Sequence, residues 1–218
     1  MITAHKFTTT RTAHYFTLGE PGPHIETYWL ACHGYGQLAS SFIKNFVGLD
    51  DGKTLVTAPE ALNKFYWNGF DGPPVASWMT RHERLDEIAD YAGYLDSLHH
   101  LFLEKLRPDV RVVLFGFSQG VSTVVRWMEA KRPHFHHLLL WAGSLPEDLD
   151  YLPLASYLAD KSLHYAIGNA DQFLTPERMA FQKSIIEKGG LQVSEFRFEG
   201  RHEVPAEALQ NISMKMSR

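Results

Sequence analysis

The sequence predicts an α/β fold in which a mostly parallel central sheet is covered by helices on both faces. Two observations support this prediction: short apolar runs without polar alternation recur along the chain, and amphipathic helical patterns lie between them. The apolar runs fall at residues 28–32, 54–58, 110–117, 137–142 and 163–167, and a further strand is expected at residues 191–198. No repeat, linker or low-complexity tract divides the 218 residues, so we expect one domain over residues 1–218.

The chain is expected to open with an antiparallel hairpin. Residues 7–31 are rich in Thr, Tyr, Phe and Trp, which favour strands. A turn rich in glycine and proline interrupts them at residues 19–23. This pattern predicts two strands that pair with each other across the turn.

Helices are predicted between the later strands. The longest helical pattern places apolar residues from Leu85 to Leu106 at steps of three and four. Shorter helices are expected at residues 119–131, 176–188 and 205–216. Pro176 and Pro205 stand at first-turn positions, where a missing amide N–H is tolerated.

Charge and composition exclude several classes of protein. The 21 basic and 25 acidic residues give a net charge of -4, and no run of Lys or Arg exceeds two residues, so neither nucleic acid nor an anionic membrane is an expected partner. No stretch approaches the roughly 20 apolar residues of a membrane span. Cys32 is the single cysteine, and the first residues lack the apolar core of a signal peptide. We therefore expect a cytoplasmic protein that acts on a small molecule.

The strongest chemical signal is a G-x-S-x-G pattern at residues 116–120, between a buried strand and a helix. A serine in a sharp turn above a strand end has an exposed hydroxyl, and glycine two residues to either side lets the strand and helix approach each other. Ser118 is therefore the predicted nucleophile. The amide of the next residue, Gln119, is expected to point toward the same space.

A serine nucleophile needs an imidazole base and a carboxylate, and in this fold they follow it in the order acid, then histidine. Asp171 lies in the loop that leaves the strand at residues 163–167, and His202 lies in the loop after the strand at residues 191–198. Both loops fall at strand ends, so Asp171 is the predicted acid and His202 the predicted base. Asp148, Asp150 and Glu199 are weaker candidates for the acid.

The histidines near residue 135 have spacings that resemble metal ligands, as does the pair at residues 99–100. No cysteine or carboxylate completes a convincing ligand set, so we expect no metal site and no cofactor.

A second amide for the tetrahedral oxyanion is expected in the H-G-Y-G loop at residues 33–36, which follows the strand at residues 28–32. The loop can turn the amide of Tyr35 into the site. Farther along, residues 65–74 combine aromatic side chains with glycine and proline and have little periodicity. We interpret them as a loop that lines an apolar pocket, with these members: Phe65, Trp67, Phe70 and Trp78.

Together, these four motifs resemble α/β-hydrolases of the phospholipase/carboxylesterase type, which include acyl-protein thioesterases. The resemblance extends over most of the chain and implies a catalytic triad of Ser118, Asp171 and His202, with oxyanion amides from Tyr35 and Gln119. The sequence departs from the family pattern at Gln37, where an aspartate is common, and at Val121, where a glycine is common.

The predicted function is hydrolysis of carboxylic esters of small or medium apolar molecules through an acyl-enzyme intermediate. A thioesterase or a small peptidase with the same triad is an alternative, because the chemistry depends weakly on the leaving group. A ligand-binding module that retains the hydrolase fold without turnover is a second alternative.

Overall fold

A computed structural model describes residues 1–216 and contains a seven-stranded sheet. Its strands follow the spatial order β1-β3-β2-β6-β7-β8-β9. The nine strands are β1 Tyr15–Leu18, β2 Thr27–Cys32, β3 Thr54–Pro59, β4 Asn63–Tyr66, β5 Pro74–Ser77, β6 Arg111–Phe117, β7 His137–Trp141, β8 Ser162–Gly168 and β9 Val193–Phe198. Only β1 runs antiparallel to its neighbour in the large sheet, and β4 and β5 form a separate antiparallel pair.

Six helices accompany the strands in residues 1–216. They are α1 Ala39–Phe42, α2 Arg84–Leu103, α3 Gln119–Lys131, α4 Ala155–Leu158, α5 Pro176–Lys188 and α6 Ala206–Met216. Two 3₁₀ segments, Ile43–Leu49 and Leu152–Leu154, precede β3 and α4. Within residues 1–216, no helix is both long and apolar enough to cross a membrane.

Each face of the large sheet carries its own hydrophobic core. On one face, α2, α3 and α5 pack over strand residues such as Tyr28 and Leu114. On the other, α1, the first 3₁₀ segment and α6 pack over their neighbours Trp29 and Phe115. Because successive strand residues point to opposite faces, strands covered on both sides must be apolar at every position. This explains the apolar runs and confirms the predicted fold class.

The predicted N-terminal hairpin is wrong in its pairing. β1 is antiparallel, as expected, but its partner is β3, with Tyr15 opposite Pro59 and Leu18 opposite Val56. β2 pairs in parallel with both β3 and β6, so β3 lies between the two strands expected to pair. The connection after β1 is held by Glu26, whose amide donates to the carbonyl oxygen of Lys53 at the start of β3. The segment therefore crosses over β3 instead of reversing tightly.

The predicted aromatic loop is also corrected. Its first residues form β4, which pairs with β5 so that Phe65 lies opposite Val75 and Tyr66 opposite Pro74. The connection between the strands covers residues 67–73, and the amide of Trp67 closes it by donating to the carbonyl oxygen of Pro73 at 3.0 Å. The aromatic stretch is thus largely a β-hairpin, which its glycine and proline content obscured.

Four parallel strands, β2, β6, β8 and β9, end at the same edge of the sheet. The loops after these strands are the H-G-Y-G loop, the turn at Ser118, the loop of Asp171 and the loop of His202. Ligands of open α/β sheets bind at this carboxyl edge. The topology therefore brings the four motifs of the sequence to one place.

Candidate active site

Ser118 occupies a strained turn between β6 and α3. Its backbone angles are φ 54° and ψ -116°, a region that side chains other than glycine rarely adopt. The amide of Ser118 donates to the carbonyl oxygen of Trp141 at 2.9 Å, which fixes the turn against β7. A Cβ atom at Gly120 would lie 2.2 Å from the carbonyl oxygen of Cys32, so only glycine permits this close approach of α3 to β2. The G-x-S-x-G spacing is therefore a steric requirement of this junction.

The structure brings Ser118, His202 and Asp171 into one hydrogen-bonded row. His202 Nε2 lies 2.9 Å from Ser118 Oγ, and His202 Nδ1 lies 2.8 Å from Asp171 Oδ2. An ionised carboxylate can only accept, so Nδ1 carries the proton and Nε2 is left to accept from the serine hydroxyl. The Asp171 side chain is fully buried, and that of His202 is mostly buried. This tautomer is the one required of a general base.

Two aromatic rings hold the imidazole of His202. Its ring centroid lies 4.9 Å from that of Phe117 and 4.6 Å from that of Phe173, which meets it edge-on. The amide of Phe173 also donates to Asp171 Oδ1 at 2.8 Å, so both carboxylate oxygens are occupied. Sequence reasoning missed Phe173, although its place two residues after the predicted acid was an available signal.

The two loops that carry Asp171 and His202 are joined directly by their backbones. The amide of Ala170 donates to the carbonyl oxygen of Gly200 at 2.9 Å. The indole of Trp141 donates to the carbonyl oxygen of Glu203 at 2.8 Å. These bonds fix the spacing of Asp171 and His202 independently of their side chains.

The three weaker acid candidates lie elsewhere. Asp148 pairs with Arg126 and Arg84, and Asp150 accepts from the amide of Leu152. Glu199 accepts from the side-chain amide of Asn169. None of these carboxylates pairs with His202 among the described residues.

The loop after β2 leaves one amide free. The amide of Gly34 donates to the side-chain oxygen of Gln37 at 2.8 Å, and that of Gly36 donates to the carbonyl oxygen of Ala76 at 2.9 Å. Between them, the amide of Tyr35 has no protein acceptor within residues 1–216. Gln37 therefore serves the loop geometry although it departs from the family pattern.

Gln119 provides a second free amide. It is the first residue of α3 and directly follows Ser118, so its N–H has no partner inside the helix. The helix N-terminus adds partial positive charge at this point. The two unpaired N–H groups belong to loops that meet where β2 and β6 end, which is the arrangement required to bind an oxyanion.

The predicted pocket residues separate into two groups. Phe65, Trp67 and Tyr35 form an aromatic cluster, with ring centroids 5.3 to 6.2 Å apart. Gly36 has a φ of 74°, and a Cβ atom there would lie 2.6 Å from the Trp67 ring, so this ring packs directly on the loop. This cluster stands beside the free amide of Tyr35.

The other two predicted pocket residues differ sharply from this cluster in their exposure. Trp78 is only 1% exposed and belongs to the hydrophobic core, because its ring packs between His33 and Tyr91. Phe70 is 93% exposed at the tip of the β4–β5 hairpin. Composition alone did not distinguish an aromatic that is buried from one that is exposed.

Cys32 is buried, and His136 and His137 have hydrogen-bond partners outside the row of Ser118, His202 and Asp171. Burial raises the pKa of the Cys32 thiol, which makes a thiolate nucleophile unfavourable. His136 Nδ1 accepts from the amide of Val112, and His137 Nδ1 lies 3.2 Å from His164 Nε2. Among residues 1–216, no group of three or more potential ligands is arranged to hold a metal ion.

Two surface clefts lie away from the hydrogen-bonded row. One of about 530 Å³ lies between β9 and α6, and one of about 370 Å³ lies between α5 and strands β8 and β9. Neither is lined by Ser118, Asp171 or His202. The arrangement at the strand ends is therefore distinct from both clefts.

Solved structures of named proteins share this fold. A phospholipase/carboxylesterase from Dyadobacter fermentans DSM 18053 is 17% identical, with a TM-score of 0.66 over 97% of this chain and 99% of that one. An acyl-protein thioesterase 2 from Zea mays is 14% identical, with a TM-score of 0.69 over 94% and 98%. A SOBER1 variant from Arabidopsis thaliana is 14% identical, with a TM-score of 0.67 over 88% and 99%. These likenesses confirm the α/β-hydrolase fold.

Sequence comparison identifies the family. No protein with a curated description matches the chain significantly. A family model described as serine hydrolase (FSH1) matches residues 26–214, a span that includes the free amides and the row of Ser118, His202 and Asp171. Because this match covers most of the 218 residues, the chain belongs to the FSH1 serine hydrolase family.

Proposed function

We propose that this serine hydrolase cleaves carboxylic esters of small or medium apolar molecules through an acyl-enzyme intermediate. The observation that carries the proposal is the row from Ser118 Oγ through His202 to Asp171, with separations of 2.9 and 2.8 Å. Two unpaired amides lie at the adjoining loops. The proposed reaction requires no metal and no cofactor.

In the first half-reaction, Ser118 Oγ attacks the ester carbonyl carbon while its proton passes to His202 Nε2. The carbonyl oxygen becomes an oxyanion, which the amides of Tyr35 and Gln119 stabilise by hydrogen bonds. Asp171 holds the imidazole in its tautomer and stabilises the imidazolium. When the intermediate collapses, the bond to the alcohol oxygen breaks and His202 gives that oxygen its proton.

In the second half-reaction, water attacks the acyl group on Ser118 and passes a proton to His202. The same amides bind the second oxyanion. Collapse breaks the bond to Ser118 Oγ, which recovers its proton from His202, and the carboxylic acid leaves. The enzyme returns to its starting state.

The preference for apolar substrates rests on the aromatic surroundings. Phe65 and Trp67 pack beside Tyr35 on the oxyanion side, and Phe173 stands against His202. A substrate carbonyl bound between Ser118 and the free amide of Tyr35 would have apolar rings near its substituents. Aromatic rings contribute binding mainly by removing apolar surface from water.

A thioester is the second candidate substrate, since the Zea mays structure is named an acyl-protein thioesterase and the same machinery acts on both groups. Matched 4-nitrophenyl and thiophenyl esters with the same acyl chain, together with the corresponding anilide, would rank the three leaving groups by kcat/KM. We expect the oxygen ester to be hydrolysed and the anilide to be inert. A preference for the thioester by tenfold or more would replace the ester assignment.

A non-catalytic binding module is tested by covalent labelling. A fluorophosphonate probe reacts with a serine only when a base and an oxyanion site activate it. We expect mass spectrometry to locate the label on Ser118 and to find no label in Ser118→Ala. Absence of both labelling and turnover in the unmodified protein would reject the enzymatic proposal.

A further inference from the structure

One short segment, residues 76–79, contacts both loops that carry the free amides. It consists of the end of β5 and the two residues after it, Trp78 and Met79. The inference below rests on the proposed function, because it concerns how those amides are held. Trp78 matters most, since one side of it bonds to the H-G-Y-G loop and the other to the first residue of α3.

On the first side, the indole of Trp78 donates to the carbonyl oxygen of His33 at 2.9 Å. The imidazole of His33 packs against the indole in a tilted arrangement, with the ring centroids 5.2 Å apart. Both side chains are fully buried, so this bond has little competition from water. Trp78 thereby fixes the peptide that opens the loop.

The imidazole of His33 carries the effect to the next peptide. Its Nε2 accepts from the amide of Ala61 at 3.1 Å, so its Nδ1 bears the proton and donates to the carbonyl oxygen of Gly34 at 2.7 Å. Burial lowers the pKa of His33 to about 4, which keeps this neutral tautomer at neutral pH. The Gly34 carbonyl belongs to the same rigid peptide unit as the amide of Tyr35, and the two point in opposite directions. The hydrogen bond to the Gly34 carbonyl oxygen therefore fixes the direction of the free N–H of Tyr35.

On the second side, the backbone of Trp78 and Met79 forms hydrogen bonds with the side chain of Gln119. Gln119 Oε1 accepts from the amide of Trp78 at 3.1 Å, and Gln119 Nε2 donates to the carbonyl oxygen of Met79 at 2.9 Å. Both polar atoms of this side-chain amide therefore have hydrogen-bond partners within the protein. Its role is to tie the first turn of α3 to the same segment that holds His33.

We propose that Trp78 is a positioning residue that sets the separation and direction of the two oxyanion amides, those of Tyr35 and Gln119. A continuous chain of hydrogen bonds runs from Gln119 through Trp78 and His33 to the peptide of Tyr35. Stabilisation of an oxyanion requires both donor nitrogens at about 2.7 to 3.1 Å from its oxygen. A small change in their spacing therefore reduces stabilisation of the transition state. The buried indole thus acts on the reaction without touching the substrate.

The test compares Trp78→Phe with Trp127→Phe. Both change a fully buried tryptophan, and both remove one indole hydrogen bond, because Trp127 donates to Asp96. Steady-state rates with 4-nitrophenyl acetate and the inhibition constant of a trifluoromethyl ketone are measured on each. The ketone forms a tetrahedral adduct whose oxygen occupies the oxyanion site, so its affinity reports the amides directly.

We expect Trp78→Phe to lower kcat about tenfold, with KM unchanged, and to raise the inhibition constant of the ketone by a similar factor. Trp127→Phe should keep both values while losing similar thermal stability. Unchanged kcat and ketone affinity in Trp78→Phe would overturn the inference, as would equal losses in both variants. Absence of ester hydrolysis in the unmodified protein would instead overturn the proposed function and this inference with it.

A second variant covers the case in which Trp78→Phe does not fold. Gln119→Leu removes the other end of the chain of bonds but keeps the backbone amide and a partly exposed position. We expect the same fall in kcat at constant KM. If Gln119→Leu retains full kcat and full affinity for the ketone, the side-chain linkage does not position the amides and the inference is wrong.

Discussion

The edge of the Phe173 ring lies against the imidazole of His202, with the centroids 4.6 Å apart and the planes at 66°. The backbone of Phe173 also donates to Asp171, so one residue contacts both His202 and Asp171. Phe117 contacts the imidazole at a centroid distance of 4.9 Å. Phe173 is 49% exposed, so part of its ring faces solvent.

Replacing Phe173 with alanine should lower kcat without unfolding the protein. The backbone bond to Asp171 remains, but the imidazole loses one of its two ring contacts and gains rotational freedom. We expect a loss of about tenfold, since misplacement of a base is costly even when the base is present. Phe181→Ala is the matched control, because Phe181 is 46% exposed on α5. Equal activity in the two variants would contradict the support role.

Ser118→Gly should abolish turnover and stabilise the fold. The native φ of 54° and ψ of -116° are strained for serine but accessible to glycine. Relief of this strain should raise the free energy of unfolding by about 1 kcal/mol. Ser118→Ala is the control, because it loses the hydroxyl but keeps the Cβ atom. We expect both variants to lose at least about a thousandfold in kcat, and only the glycine variant to melt at a higher temperature. Equal melting temperatures would argue against strain.

Asp171→Asn and His202→Ala should not have additive effects on kcat. The amide group of asparagine would favour the wrong imidazole tautomer, so the single change should cost about four orders of magnitude. Once His202 is removed, Asp171 has no imidazole to orient, and the double variant should be hardly slower than His202→Ala. Single-turnover rates at high enzyme concentration can resolve these small values. Full additivity would mean that Asp171 has a structural role only.

Trp67→Ala should change selectivity more than stability. The Trp67 ring packs on the loop at Gly36 and is 41% exposed, so its removal leaves a gap at the surface and not a buried cavity. We expect kcat/KM for a bulky aryl or acyl ester to fall about tenfold relative to that for an acetyl ester. Phe70→Ala, at an almost fully exposed site on the same hairpin, should leave this ratio unchanged. A constant ratio in Trp67→Ala would remove Trp67 from the proposed pocket.

The free energy of unfolding should fall as the pH drops from about 6.5 to about 4. Burial lowers the pKa of His33 and His99 to about 4, so between these pH values the unfolded chain binds protons that the native state does not. Stability therefore rises with pH across this window and levels off above it. For His99, the lowered pKa corresponds to a loss of about 3 kcal/mol in the free energy of unfolding once the pH is below about 4. Protonation would add a proton to Nδ1, which has no partner within residues 1–216.

Urea unfolding at several pH values from 7 to 4 measures this dependence. His99→Gln can still donate to the carbonyl oxygen of His134 but does not titrate, so its stability should fall less steeply with decreasing pH. His5→Gln, at an exposed position, is the matched control and should keep the native slope. Identical slopes in all three proteins would exclude His99 as a source of acid sensitivity.

Sequence reasoning predicted the residues that the structure brings into one hydrogen-bonded row because their signals are local. Ser118 and Asp171 follow buried strands, and His202 follows the edge strand β9. Parallel strands end at one edge of the sheet, so the proximity of these residues follows from topology. The helix boundaries at α3 and α5 were equally predictable. For α5, Pro176 stands in the first turn, and the Thr175 side chain accepts from the amide of Arg178.

The errors arose where non-local packing decides the outcome. The partner of β1 depends on a crossover past β3, which no turn signal at residues 19–23 reveals. The same aromatic composition describes the buried Trp78 and the exposed Phe70, because burial is set by neighbours that are distant in sequence. Phe173 gave no signal beyond its position, since its value lies in contacts with both Asp171 and His202.

The hydrogen bond from Ser118 to His202 joins residues 84 positions apart, and the second of them follows the outermost strand of the sheet. A growing chain emerging from the ribosome thus presents the serine long before its base has been synthesised. Even after synthesis, the base reaches the serine only once β9 has docked on β8. The Ser118–His202 hydrogen bond therefore cannot form before β9 has docked, and on the proposed function the recovery of ester cleavage during refolding should not precede the docking of that strand.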